Sequence, residues 1–257
     1  MARYVMIVVL ALLVAGCGTA AKTAPEVAGY VGAYLREHPD VERVATKGVR
    51  TATVIVKGQD RDIRAGLGEG LGGRLVRTGD AAYMRMAGEE PAPGKPWEKI
   101  TAEHEPYNLF VLGMVTGEAM KLVDSHRVHG MLAARGQVSG PVSEGGLGRY
   151  TVAVDVRAAL DGLDLAAFLD VYDPLPAMQD IEDEYERVRA GDPAAQARLR
   201  GRLIEEFGER ATYELWIDGE GRPVRERLTA VTPVEVVFSH WDATAVSAPP
   251  ADQVMVR

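Results

Sequence analysis

The sequence predicts an α+β fold built on one antiparallel sheet. Three observations carry this. Segments of strict apolar alternation, clearest at Tyr150, Val152, Val154 and Val156, mark half-buried strands. Other segments are helical instead. Val27, Tyr30, Val31, Tyr34 and Leu35 recur every three or four residues, and Tyr107 to Asp124 is apolar on nearly every side. The elements come in blocks (strands, helix, strands, helices, strands), which argues against alternating βαβ units.

Taken in order, the first helix runs past Leu35 and stops before Pro39. Ala52, Val54 and Val56 then alternate with Thr51, Thr53 and Ile55 as a strand. Residues 66–73 are glycine-rich and read as a flexible connection, followed by short strands at Leu75–Thr78 and Ala81–Met86. Lys95-Pro96-Trp97 sits in an extended turn. The second helix, opened by Pro106, is apolar all round and must be covered on all sides or face a hydrophobic cavity. Met131 to Val142 reads as a weak strand ended by Gly140-Pro141, and 144–148 as a turn. Three helical segments follow: Ala158–Leu169, one marked by Met178, Ile181, Tyr185 and Val188, and one marked by Leu199, Leu203 and Phe207. Strands close the chain at Tyr213–Ile217, Val224–Ala230 and Val236–Phe238, with Asp218-Gly219-Glu220-Gly221 as a hairpin turn.

The start of the chain has a different character. Arg3 precedes an unbroken apolar run, Val5 to Val14, and then comes Val14-Ala15-Gly16-Cys17. The run is too short to cross a bilayer core of ~30 Å and has the length of an export-signal core. Small residues before a thiol suit a peptidase cut next to an alkylated sulfur. The segment resembles the lipobox of bacterial lipoproteins. That resemblance implies a signal peptide at 1–16, a diacylglyceryl group on Cys17, and a protein held on the extracytoplasmic face of the cell membrane. Residues 17–25 then form a flexible lipidated tether, and 26–257 a single domain.

Composition narrows the partners. The net charge of −8 makes nucleic acid an unsuitable partner, because phosphate binding needs a basic face. Cys17 is the only cysteine, so the domain itself has no disulfide, thiolate metal site or cysteine nucleophile. Gly68, Gly70 and Gly73 match a dinucleotide fingerprint but lack its strand-to-helix setting. His126 and His129 near Asp124, and His104 between Glu103 and Glu105, do not make up a set of converging metal ligands. Ser125, Ser139 and Ser143 lack a nucleophile elbow. The acidic run Asp180, Glu182, Asp183, Glu184 and Glu186 reads as a solvated helix face. No catalytic residue, metal or cofactor is therefore expected, and the chain is not expected to be an enzyme.

Several segments together resemble a known family. They are Lys95-Pro96-Trp97, Arg149 to Asp155, Leu215-Trp216-Ile217-Asp218-Gly219-Glu220-Gly221-Arg222-Pro223, Phe238-Ser239-His240-Trp241-Asp242 and the closing Ala248-Pro249-Pro250-Ala251-Asp252-Gln253-Val254. The chain resembles actinobacterial lipoproteins of the LppX/LprG type, with a LolA-like fold. The resemblance implies a strongly curved antiparallel β half-barrel with helices packed on its concave face. It also implies an apolar cavity that binds and carries lipids or acylated molecules, with an envelope transporter or other protein as a further partner. Residues 158–208 are longer than the family's usual stretch.

The residue pattern supplies candidate walls for such a cavity: Leu109, Leu112, Val115 and Met120 on the apolar helix, and Met84, Val152, Val154, Leu215 and Phe238 opposite. Alternation reports burial and not ligand contact, so the same residues also fit a plain core. An envelope protein-interaction or sensor module on the same scaffold is the alternative function.

Overall fold

A computed structural model describes residues 22–101, 106–172 and 179–256, with side chains left aside at 106–112 and 179–182. Helix α1 (Ala24–Glu37) leads into six strands, β1 (Glu42–Lys47), β2 (Arg50–Lys57), β3 (Asp60–Gly68), β4 (Leu71–Thr78), β5 (Ala81–Met86) and β6 (Trp97–Lys99). Helices α2 (Pro106–Val123) and α3 (His126–Ala133) follow, then β7 (Gln137–Glu144) and β8 (Leu147–Asp155). A helical excursion comes next: α4 (Val156–Asp161), α5 (Leu165–Tyr172), α6 (Gln179–Arg189) and α7 (Pro193–Phe207). Strands β9 (Arg210–Ile217), β10 (Pro223–Thr229) and β11 (Val234–Ser239) complete the main sheet, and β12 (Val254–Met255) adds an edge.

All twelve strands form one open sheet in the order β12-β6-β5-β4-β3-β2-β1-β11-β10-β9-β8-β7. Every pairing is antiparallel except β12 with β6. Two meanders meet at the centre, where β1 pairs with β11 from Glu42↔Ser239 to Lys47↔Val234. This α+β architecture is the predicted class. No helix among the described residues is long and apolar enough to cross a membrane.

Local chemistry explains the element ends. Thr23 donates its backbone N–H and its hydroxyl to Glu26, a reciprocal cap that starts α1. Asp155, Asp164 and Asp192 accept backbone N–H bonds at the starts of α4, α5 and α7. The cap at Asp164 divides the single helix expected over 158–169 into two. The glycine-rich stretch is also not a loose connection. It is the β3–β4 hairpin, with a tight turn at Glu69 and Gly70, both at positive φ. Its glycines have a packing reason as well: a Cβ on Gly73 would lie 3.1 Å from Met86 Sδ and 3.4 Å from Val115 Cγ1. The missing side chain lets α2 approach the sheet.

Two other expectations change. Met131–Ala133 belong to the end of α3 and not to a strand. Gly140-Pro141 lies inside β7, at a register shift between Ser139 and Val142. The helices cover one face of the sheet. Helix α2 lies over β1–β4, while α1 packs on α3 and reaches β7 and β10, and α3 and α4 pack on β8 and β9. The main core lies beneath them. A small second cluster, Val76, Trp97 and Val254, sits on the opposite face, where Tyr83 and Val246 pack against it.

Candidate functional site

The site begins with what the strands present to the helices. In β2 and β3, paired Ala52 and Ala65 face α2, and Leu67 follows near the hairpin tip. Such small side chains do not fill the space under a helix. A cavity of about 670 Å³ results, within the ~300–1,000 Å³ range common for small-molecule sites. The end of α2, the start of α3, and α5 and α7 enclose it above the ends of β1, β2, β10 and β11. Met120, Leu122, Val128, Phe207, Leu228 and Val234 supply much of its apolar wall.

Charged groups share the lining, and they are paired. Lys47 Nζ lies 3.0 Å from Glu206, and the Tyr172 hydroxyl donates to the same carboxylate. Burial, and then Glu206, push the Tyr172 phenol above its ordinary range, so it stays a donor. Arg50 lies 3.6 Å from Glu118, which is also 3.8 Å from Lys121. The cavity therefore has an apolar interior and two polar flanks: Lys47 and Glu206 balance on one, while on the other Glu118 is shared by the two cations Arg50 and Lys121.

A second cavity of about 850 Å³ lies between α1, α3 and the end of β2. Met120, Asp124 and Arg127 border both spaces. Behind this partition is a buried polar cluster. Arg43 of β1 is hydrogen-bonded to Asp124. Tyr213 donates to Glu226 at 3.1 Å. Burial pushes the Glu226 carboxyl up to about 8, so it is mostly protonated at neutral pH. Burial lowers His126 to about 4 and His129 to about 3, which keeps both imidazoles neutral. No group of three His, Cys, Asp or Glu among the described residues is placed to hold a metal ion.

The candidate cavity residues are distributed unevenly. Met120 lines the 670 Å³ space. Val115 is buried between α2 and the β4–β5 region. Val152, Val154, Leu215 and Phe238 are buried in the main core, where the Phe238 ring stacks on Trp241 at 5.9 Å. Met84 is buried on β5, with seven strands between it and β8 in the sheet order. The side chains of Leu109 and Leu112, and Cys17 altogether, lie outside the described residues.

Lys47, Arg50, Glu118, Tyr172 and Glu206 were not legible as site residues, because no local spacing joins positions so far apart in the chain. The helical excursion also has a place here: α5 and α7 form one wall of the cavity.

No family model and no curated protein matches the chain. Among solved structures it is similar to the crystal structure of Mycobacterium tuberculosis lipoprotein LppX. The identity is 10% and the TM-score 0.42, over 86% of this chain and 96% of that one. At that distance the likeness carries no argument about function.

Proposed function

We propose that this chain is a non-enzymatic lipoprotein that binds and carries lipids or acylated molecules, anchored through a diacylglyceryl group on Cys17 to the extracytoplasmic face of the cell membrane. Its sheet acts as a half-barrel whose helix-covered side receives the acyl chain. One observation carries the reading: a cavity of about 670 Å³ that combines apolar walls with ion-paired flanks. Apolar walls favour a hydrocarbon guest, since burying each methylene contributes ~0.8 kcal/mol. The Lys47–Glu206–Tyr172 and Arg50–Glu118–Lys121 groups give a polar head hydrogen-bonding partners at the flanks.

The test is direct. Purified full-length chain is examined by native mass spectrometry for retained lipid and titrated with a fluorescent fatty acid. Retained lipid and saturable uptake are expected. Protein that is uniformly empty and takes up no fatty acid refutes the reading.

A further inference from the structure

Three hairpin tips project from the end of the sheet nearest the cavity, each carrying a bare apolar side chain. Val49 in the β1–β2 turn is 80% exposed, Leu71 beside the β3–β4 turn 65%, and Val231 between β10 and β11 65%. The tips are neighbours because β4-β3-β2-β1-β11-β10 are consecutive in the sheet. A Cβ on Gly68 would lie 3.2 Å from Val49 Cγ2, and one on Gly48 would lie 3.9 Å from Thr232 Cγ2. The roots of the same hairpins line the cavity, through Lys47 and Arg50, through Leu67, and through Leu228 and Val234.

Turns ordinarily hold glycine or short polar residues for backbone reasons. A single exposed valine would need no explanation. Here, however, three of the six exposed large apolar side chains among the described residues stand on neighbouring turns at one end of the sheet.

We propose that Val49, Leu71 and Val231 insert into the interfacial layer of a lipid bilayer and set the cavity mouth against it. Their form favours a bilayer over a protein partner, because they are separate prongs on three turns and not one continuous patch. The cations at their roots, Lys47 and Arg50, are already paired with Glu206 and Glu118. Attraction to the bilayer therefore comes from the apolar side chains and persists in salt. The choice of occupant rests on the lipid-binding reading, since the strand ends that carry the prongs are also walls of the cavity.

The test uses the full chain with Cys17→Ser and one new cysteine: Val49→Cys, Leu71→Cys, Val231→Cys or, as control, Val142→Cys. Val142 is exposed but lies toward the opposite end of the sheet, beside Arg149, whose partner Trp216 pairs with Arg225 at the start of β10. Each cysteine carries a polarity-sensitive fluorophore. The probes are phosphatidylcholine vesicles with and without phosphatidylglycerol, at low and high salt.

Blue-shifted emission and quenching by lipid-borne quenchers are expected at the three tips, under every condition, and not at 142. Water-like emission at the tips overturns the proposal. So does an equal shift at 142, or a shift confined to anionic vesicles at low salt. As a second measurement, the combined Val49→Ser, Leu71→Ser and Val231→Ser variant should deliver fatty acid to acceptor vesicles about tenfold more slowly with unchanged uptake in solution. Unchanged delivery counts against the docking role. Tips that enter lipid on a chain that takes up no fatty acid refute the lipid-carrier reading alone.

Discussion

The two halves of the helix-covered sheet face follow the same alternation and end in different states. On β8 and β9 the inward side chains Tyr150, Val152, Tyr213 and Leu215 are all buried. Leu160 of α4, Phe168 of α5, and Leu199 and Leu203 of α7 belong to the same core and are also fully buried. On β1–β4 the corresponding residues include Ala45, Ala52, Ala65 and Gly73, and the cover is α2. Close packing is achieved on the first side and falls short on the second, where the 670 Å³ cavity lies. Period-two patterning reports only which side chains face inward. Their size, and what arrives to meet them, decides whether the space is filled.

Substitutions on the two sides should therefore separate stability from binding. The largest effect is expected on the filled side. Leu160→Ala, on α4 away from the cavity lining, removes a fully buried side chain and should cost ~2–5 kcal/mol, with fatty-acid affinity of the surviving folded protein little changed. Chemical denaturation and fatty-acid titration measure the two quantities. A matching loss of affinity would mean that the halves are not independent.

On the open side, Leu67→Trp places a larger ring into the cavity lining. Fatty-acid affinity should fall about tenfold, with a stability change within about 1 kcal/mol. Unchanged affinity would place the guest elsewhere, with the 850 Å³ space the next candidate.

The smallest effect concerns the seam between the halves, where Arg43, Asp124, Ser125 and Tyr213 surround Glu226. The folded Glu226 carboxyl titrates at about 8, above its ordinary value of 4.5. The native state thus holds a proton that the unfolded chain releases. The stability from this group is complete below pH 4.5 and is lost as pH rises through 8. Between pH 7 and 8 the loss is about 1 kcal/mol, or a fall of a few degrees in Tm. Glu226→Gln should flatten that alkaline limb. His126 and His129 act in the opposite sense: their lowered values remove stability as pH falls from 6.5 through about 4 and about 3. The acid limb should survive in the variant. A wild-type Tm that does not fall between pH 7 and 8 would show that Glu226 is not held protonated.

Legibility followed the range of the interaction. Helix α1 and strands β5 and β8 were readable because a few neighbouring residues carry the whole signal. Strand β1 was not, since its inward positions are Arg43, Ala45 and Lys47, which break the apolar alternation. Those cations face inward because partners wait there: Asp124 from the α2–α3 junction and Glu206 from α7. Helix α3 was missed for a related reason, as two of its buried positions are His126 and His129. The glycines of 66–73 suggested a loop, yet most of them serve strand pairing and the close approach of α2.

By itself, the sequence determined the class of fold, the order of its blocks, and the side of most strands that turns inward. Those properties arise from backbone geometry and hydrophobic periodicity over a few residues. Only the tertiary structure decided that β1 pairs with β11, that α5 and α7 wall a cavity beside α2, and that three apolar turns meet at one end of the sheet. Each of these joins residues distant in the chain, and no local pattern records a meeting that exists only once the sheet has formed.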